Sequence, residues 1–285
     1  MVRNNILDPA LKWLQEKYFA RDIFFASYHL AKQEIRKALI RSVEEMLKSG
    51  KQEIPFDPKE IASARKVKSI VETELLKDGI LVPQIGGFLI KINKDIHPFK
   101  KRLACAHEIG HTFFFNIDVD PPRREFQYQK SSYWVQEEVS LMIAREILLP
   151  QFSIAPIIEK EHISPSIDAL RYLSALYQVS FNVLRIRLVN DLALWDCIIL
   201  ISRIHDDKVV TNSVDISKGA AYRDFIIPRT IDSNCELSNL HYVISSTFTE
   251  RRIKDKIDFW KGKHSIETVL LDDDRQAVMS LIRKR

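Results

Sequence analysis

Two histidines four residues apart, His107 and His111, with Glu108 directly after the first, have the types and spacing for metal chemistry. On a helix of 3.6 residues per turn both imidazoles project from one face and can share one ion at about 2.0 to 2.1 Å. Glu108, rotated about 100° from the first ligand, reaches a water on that ion without taking a ligand position. Zinc would lower the pKa of this water to roughly 7, and Glu108 would accept its proton as it attacks a peptide carbonyl. The five-residue pattern alone is weak, since ordinary residue usage gives about one chance match per hundred chains of this length. Two helix histidines satisfied by carbonyls or water are the plain alternative. The context favours metal: Leu103 and Ala106 precede the pattern and Phe113, Phe114 and Phe115 follow it, so the helix is largely buried. Gly110 inside a helix costs about 1 kcal/mol relative to Ala, and close approach of a neighbouring backbone or of substrate is the natural offset.

A catalytic zinc needs a third protein ligand and one open position. Glu137 fits best, because it heads a face (Glu137, Leu141, Ala144, Leu148) that is otherwise apolar. A charge there is costly unless it meets a cation or a metal. A salt bridge to a basic side chain is the alternative for Glu137. Glu138 and Glu146 fall on other faces and are expected to see solvent. Two histidines and a glutamate suit Zn²⁺, although Mn²⁺ or another divalent ion fits similar ligands. Tyr128, Tyr133 and His97 are candidates to stabilise a tetrahedral oxyanion. Cys105 lies two residues before His107, about 200° round the helix, and is expected to be a buried thiol facing away from the metal.

The elements that must position these groups are legible in outline. Residues 9 to 49 carry helical spacing in Leu11, Leu14 and Tyr18 and in Ile35, Leu39, Val43 and Leu47, with Gly50 as a stop. A further amphipathic stretch, residues 61 to 79, reads as helix ending at Gly79. Gly86-Gly87 and the alternation of Phe88, Ile90 and Ile92 predict a hairpin. A polar loop from about 118 to 132 separates the motif helix from a second helix, which begins near Trp134 and is stopped by Pro150. Residues 163 to 192 read as two short helices about a turn at Tyr177 to Ser180, with Ser164 or Ser166 as a cap. Beyond Trp195 the runs DCIILISRI, KVVTNSVDI and HYVISSTFT are β-rich, and the tail from Ile266 is expected to return to helix.

Arg102 to His111 resembles the Arg-x-x-x-Ala-His-Glu-Leu/Ile-Gly-His lead-in of the ImmA/IrrE-type zinc metallopeptidases. Glu137 to Pro150, ending Ala144-Arg145-Glu146-Ile147-Leu148-Leu149-Pro150, is similar to that family's Glu-x-x-Ala-Asn-x-Phe-Ala-x-x-Leu-Leu-Met-Pro run. LRYLSALYQVSFNVLRIRL is similar to the helix-turn-helix-like segment that follows it there. Leu141 stands where the family has Asn or Asp, and Ile143 where it has Phe. A polar residue at 141 could bond a ligating histidine, a support that changes metal affinity by roughly 10- to 100-fold. The resemblance, over about residues 65 to 190, implies zinc on His107, His111 and Glu137, with Glu108 as the base. It also implies an endopeptidase that cleaves a helix-turn-helix transcriptional repressor in stress regulation.

The expected architecture is α+β. A mainly helical zincin-like metallopeptidase domain with a small sheet spans residues 1 to 160, followed by a helix-turn-helix-like segment over 161 to 195. A C-terminal α/β domain of sensory or regulatory role spans 196 to 285. The 285 residues are 46% hydrophobic, enough for a real core. No apolar run reaches the roughly 18 residues of a membrane span, and no leader pattern opens the chain, so a cytoplasmic protein is expected. Cys105, Cys197 and Cys235 are too few and scattered for a disulfide framework. A net charge of +5 spread along the chain does not require nucleic acid. Arg171, Arg185 and Arg187 are sparse positives on apolar helices, for which packing is favoured over DNA binding. Asp272, Asp273 and Asp274 read as the acidic start of a helix rather than a cation site. The rival functions are a metal-stabilised regulatory protein without essential turnover and a DNA-binding regulator.

Overall fold

The computed structural model describes residues 9–18, 28–49, 53–124, 130–205, 208–217, 230–231, 252–258, 263–270 and 277–284. Gly50, Tyr128, Cys235, Asp272 to Asp274 and the HYVISSTFT run lie outside them. The protein is α+β and divides into two compact units, Met1–Ser153 with Leu176–Val179, and Ile154–Ala175 with Ser180–Arg285. The expected segment 161 to 195 thus falls mostly into the second unit. Among the described residues no single helix is long and apolar enough to cross a membrane.

In the first unit, α1 (Pro9–Tyr18) and α2 (Tyr28–Ser49) form the helical opening. Ile35, Leu39, Val43 and Leu47 recur every fourth residue on α2 and are buried as one stripe. The stretch expected to be helical from 61 to 79 is helix only as far as Ala64. After α3 (Pro58–Ala64), capped by the Asp57 carboxylate on the Lys59 N–H at 3.0 Å, Lys66 turns to φ +56°. Residues 67 to 73 then form strand β1 (Val67–Thr73). Val67, Ile70, Val71 and Thr73 are β-branched and lose less side-chain freedom in a strand than in a helix.

The Gly86-Gly87 hairpin is present as β2 (Gly79–Gln84) and β3 (Gly87–Asn93), closed by the pair Gln84 and Gly87. β3 lies centrally between β1, parallel to it, and β2, antiparallel. Its Phe88, Ile90 and Ile92 are buried, as the alternation predicts. Gly87 is required by crowding: a Cβ there would lie 2.0 Å from the Lys66 carbonyl oxygen, which accepts from the Phe88 N–H at 2.9 Å.

Helix α4 (Pro98–His111) begins where the His97 Nδ1 accepts from the Phe99 N–H at 3.2 Å, with Pro98 in the first turn. At its far end the buried Arg65 guanidinium donates to Thr112 Oγ1 at 3.1 Å and to the Thr112 carbonyl at 2.9 Å. A cation there suits the negative end of the helix dipole. After the two-residue strands β4 (Phe115–Asn116) and β5 (Arg123–Arg124), α5 (Lys130–Leu148) starts four residues before Trp134 and stops before Pro150. Glu146 does not see solvent: it is fully buried, and its carboxylate accepts from the Gln151 N–H at 2.9 Å, at the start of α6 (Gln151–Lys160). Glu138 is exposed and pairs with Arg36.

The second unit contains most of α7 (Ile167–Tyr177), whose start is capped by the Ser166 Oγ on the Ala169 N–H at 3.1 Å. It also holds α8 (Phe181–Arg185), which runs on into a π-helical turn, Ile186–Asp191. Its sheet is antiparallel throughout, in the order β8-β7-β6-β11-β10-β9. The strands are β6 (Ile198–His205), β7 (Lys208–Ile216), β8 (Thr230–Ile231), β9 (Arg252–Asp258), β10 (Lys263–Leu270) and β11 (Ala277–Lys284). The tail is therefore strand, not helix. The run from Ala277 to Ile282 is buried without a break, and such a short apolar run does not reveal its own period. All described regular structure from Ile198 onward is strand, so the expected α/β character of this region appears only as β.

Candidate metal centre

Gly110 sets the geometry, because a Cβ there would lie 2.6 Å from the Ser140 carbonyl oxygen and 2.9 Å from its Cα. Its absence lets α4 and α5 approach closely, and the costly helix glycine has the neighbouring backbone as its reason. That approach brings Glu137 to the two histidines. Glu137 Oε2 lies 3.1 Å from His107 Nε2, and Oε1 lies 3.5 Å from His111 Nε2. The two imidazole Nε2 atoms are 2.9 Å apart. One ligand atom from each of His107, His111 and Glu137 falls within 4.8 Å of the others. Bonds of about 2.0 to 2.1 Å to a tetrahedral ion separate its ligand atoms by about 3.3 Å, so the donor set fits one metal.

Around this triad the side chains are held by groups the sequence did not advertise. Ser140 Oγ lies 3.0 Å from His111 Nδ1. With the Nδ1–H donating to Ser140, the His111 Nε2 lone pair faces Glu137 and the metal position. The resemblance placed this support at 141, but Leu141 is 36% exposed, and the serine before it does the bonding. His107 Nδ1 is buried with no hydrogen-bond partner among the described residues. Ile143, the other departure, is fully buried core.

Glu108 is 7% exposed, and its carboxylate accepts a hydrogen bond from the backbone N–H of Leu81. Its Oε1 and Cγ lie 3.1 and 3.0 Å from where a Cβ on Gly79 would stand, so the glycine clears room for it against β2. Without a metal, burial raises its pKa to about 7, aided by the charge of Glu137 and opposed by the Leu81 N–H and Lys77. Burial depresses His111 to about 3, with His107 and Arg124 adding to it. Burial also lowers His107, against the pull of Glu137. Both imidazoles are thus neutral near pH 7, the form that ligates a metal.

The triad and Glu108 line one cleft of roughly 530 Å³, walled by β2 on one side and by α4 and α5 on the other. Tyr133, Glu137 and Leu141 follow one another at four-residue intervals along α5, and all three face it. Of the expected oxyanion donors, Tyr133 is in the cleft, 40% exposed, while Tyr128 lies outside the described residues. His97 is spent as the cap of α4, about 15 Å along the helix from His107 at 1.5 Å per residue. Arg124, Lys77 and Gln136 also line the cleft and were not singled out by spacing. Cys105 is buried outside it, and burial pushes its thiol up to about 12. Arg185 and Arg187, candidates for nucleic-acid contact, are 7% and 0% exposed, and of that set only Arg171 is outside the core.

No protein-family model matches this chain, and no curated protein matches it in sequence. Among solved structures, a Mycobacterium tuberculosis transcriptional regulator matches with a TM-score of 0.57 at 12% identity, covering 96% of this chain and 81% of that one. At that identity the likeness is one of fold alone.

Proposed function

We propose that this protein is a zinc-dependent endopeptidase of the ImmA/IrrE type, cutting a specific intracellular protein, with a helix-turn-helix transcriptional repressor as the leading substrate class. The observation that carries the reading is the grouping of His107, His111 and Glu137 around one position in a cleft, with the buried Glu108 beside them. A role in transcriptional control also agrees with the fold shared with a regulator. The helix-borne pair, the ligand from the next long helix and the small sheet alongside suit a zincin-like catalytic unit.

Zinc bound by the triad would supply a Lewis acid that polarises a peptide carbonyl and acidifies water. The chain's own groups do the rest. Ser140 Oγ holds the His111 ring by its Nδ1. The Leu81 N–H holds the Glu108 carboxylate at the cleft wall, where it takes a proton from the attacking water and returns it to the leaving amine. Tyr133, which lines the cleft, would be the donor to the developing oxyanion. β2 is an edge strand. The bond from the Asn93 N–H to the Asp78 carbonyl and the closing pair at Gln84 fix its even-numbered residues as the partners of β3. Gly79, Leu81 and Pro83 therefore turn their backbone groups outward; the Leu81 N–H is taken by Glu108 and Pro83 has none, so an extended peptide would pair through the carbonyls and the Gly79 N–H.

A metal-stabilised regulatory protein without turnover is the second reading, favoured by the unpartnered Nδ1 of His107, which leaves one ligand without the usual support. Zinc per chain, measured by elemental mass spectrometry on wild type and Glu137→Ala after identical dialysis, tests the site. About one zinc in the wild type and far less in the variant is expected for a three-ligand site. Equal zinc in both would remove Glu137 from the ligand set, and none in either would remove the metalloenzyme.

A further inference from the structure

Gln136 precedes the ligand Glu137 on α5 and lines the same cleft. It is 2% exposed, and its side-chain Nε2 has no hydrogen-bond partner among the described residues. A buried donor left unpaired costs about 1 to 3 kcal/mol. A straight-chain apolar side chain of similar length and helix propensity would avoid that cost. Gln136 also stands one turn before Ser140, the residue bonded to His111, so its amide lies along the helix face that supports the metal position. A group that enters the cleft can supply the partner that this donor lacks among the described residues.

We infer that the Gln136 amide is a substrate-binding group, which donates to a backbone carbonyl of a peptide chain lying across the metal centre. This rests on the peptidase reading and adds to it a named contact with the peptide backbone. Because the contact reads the backbone, it strengthens binding of any extended peptide and leaves sequence choice to the rest of the cleft. The donor belongs to binding rather than chemistry: no proton moves through it, and it touches neither the metal ligands nor Glu108 in the hydrogen bonds described.

The test uses the full chain and Gln136→Met, which keeps length and flexibility and removes both N–H donors. Thermal unfolding of the metal-free proteins comes first. The variant is expected to melt at the same temperature or higher, because an unpaired polar group has been removed. A fall of several degrees would show that the amide is structural, and would overturn the inference.

Calorimetric binding to the zinc-loaded proteins comes second, with two probes: acetohydroxamate, which engages only the metal, and an N-acetylated tripeptide hydroxamate, which adds backbone carbonyls. Gln136→Met is expected to bind acetohydroxamate unchanged and the tripeptide about three- to tenfold more weakly, one hydrogen bond's worth. Equal tripeptide affinity in wild type and variant would sink the role of Gln136 while leaving the peptidase reading standing. If the zinc-loaded wild type binds neither hydroxamate, the peptidase reading fails and this inference falls with it.

Discussion

In the second unit Arg185 and Asp215, 7% and 4% exposed, contact each other directly, and Asn190 adds its amide to the same carboxylate. Glu267, equally buried, accepts from the Ile167 N–H at 2.9 Å and from Arg283 at 3.3 Å. The cleft of the first unit is built differently. Glu108 and Glu137 share one cleft with two imidazoles that burial keeps uncharged, and Glu137 raises the pKa of Glu108 more than Lys77 lowers it. Buried charge that is matched by the chain is structure. Carboxylates that the chain gathers around two neutral imidazoles in a cleft are arranged to receive a cation, and that difference separates a candidate site from a core.

The largest expected effect comes from removing the buried carboxylate beside the three candidate ligands. Glu108→Gln keeps the shape and the hydrogen bond from Leu81, and should retain zinc fully while lowering turnover of the protein substrate by about 10²- to 10⁴-fold. Cleavage assays beside metal analysis check this. Full function in a zinc-replete variant would break the comparison at its centre, and would leave a metal-stabilised regulator.

Next in size is a stability contrast between the buried ion pair and the cleft carboxylate. Asp215→Ala strands Arg185 and should destabilise the protein by about 3 to 5 kcal/mol, read by chemical denaturation. Glu137→Gln, in the metal-free protein, removes a charge that crowds Glu108 and should unfold at the same or a higher denaturant concentration. If Glu137→Gln loses as much stability as Asp215→Ala, the cleft is a structural ion-pair centre like the one in the second unit.

Ser140→Ala sharpens the picture at the level of the ligand's support. Loss of the Oγ from His111 Nδ1 should weaken zinc affinity by roughly 10- to 100-fold, measured by competition with a chromogenic chelator. Unchanged affinity would mean that packing against α5, rather than this hydrogen bond, orients the imidazole.

How much of this was legible from the sequence follows from the range of each signal. The motif helix, the Gly86-Gly87 hairpin, the stop at Pro150 and the tension at Gly110 all rest on local rules, and each appears where those rules put it. Strand β1 did not, because its partner β3 lies about twenty residues on and pairs in parallel, which no local period announces. β11 was misread for the same reason: a run buried on both faces suits helix and strand alike until β6 and β10 claim it. At the site, the candidate ligands were legible because metal chemistry needs side chains at fixed spacing. Ser140 was missed because its closeness to His111 exists only once Gly110 lets the helices touch. Glu146 was misplaced because the backbone N–H that satisfies it belongs to a helix start no side chain marks.

Leu81 is the extreme case of such hidden support, since its contribution is a backbone N–H, and it yields the smallest effect. On an edge strand an outward N–H can be deleted by proline without costing a ladder bond, and Pro83 already occupies an equivalent position two residues on. Leu81→Pro should therefore fold and keep its zinc, while Glu108 loses the donor that fixes its carboxylate. Turnover is expected to fall about three- to tenfold, the worth of one hydrogen bond, relative to Leu81→Ala, which loses the side chain alone. Equal rates for the two variants would mean that packing against Gly79 holds Glu108. Loss of zinc in the proline variant would mean instead that β2 supports the metal centre as a whole, and the division of labour between strand and helices would need redrawing.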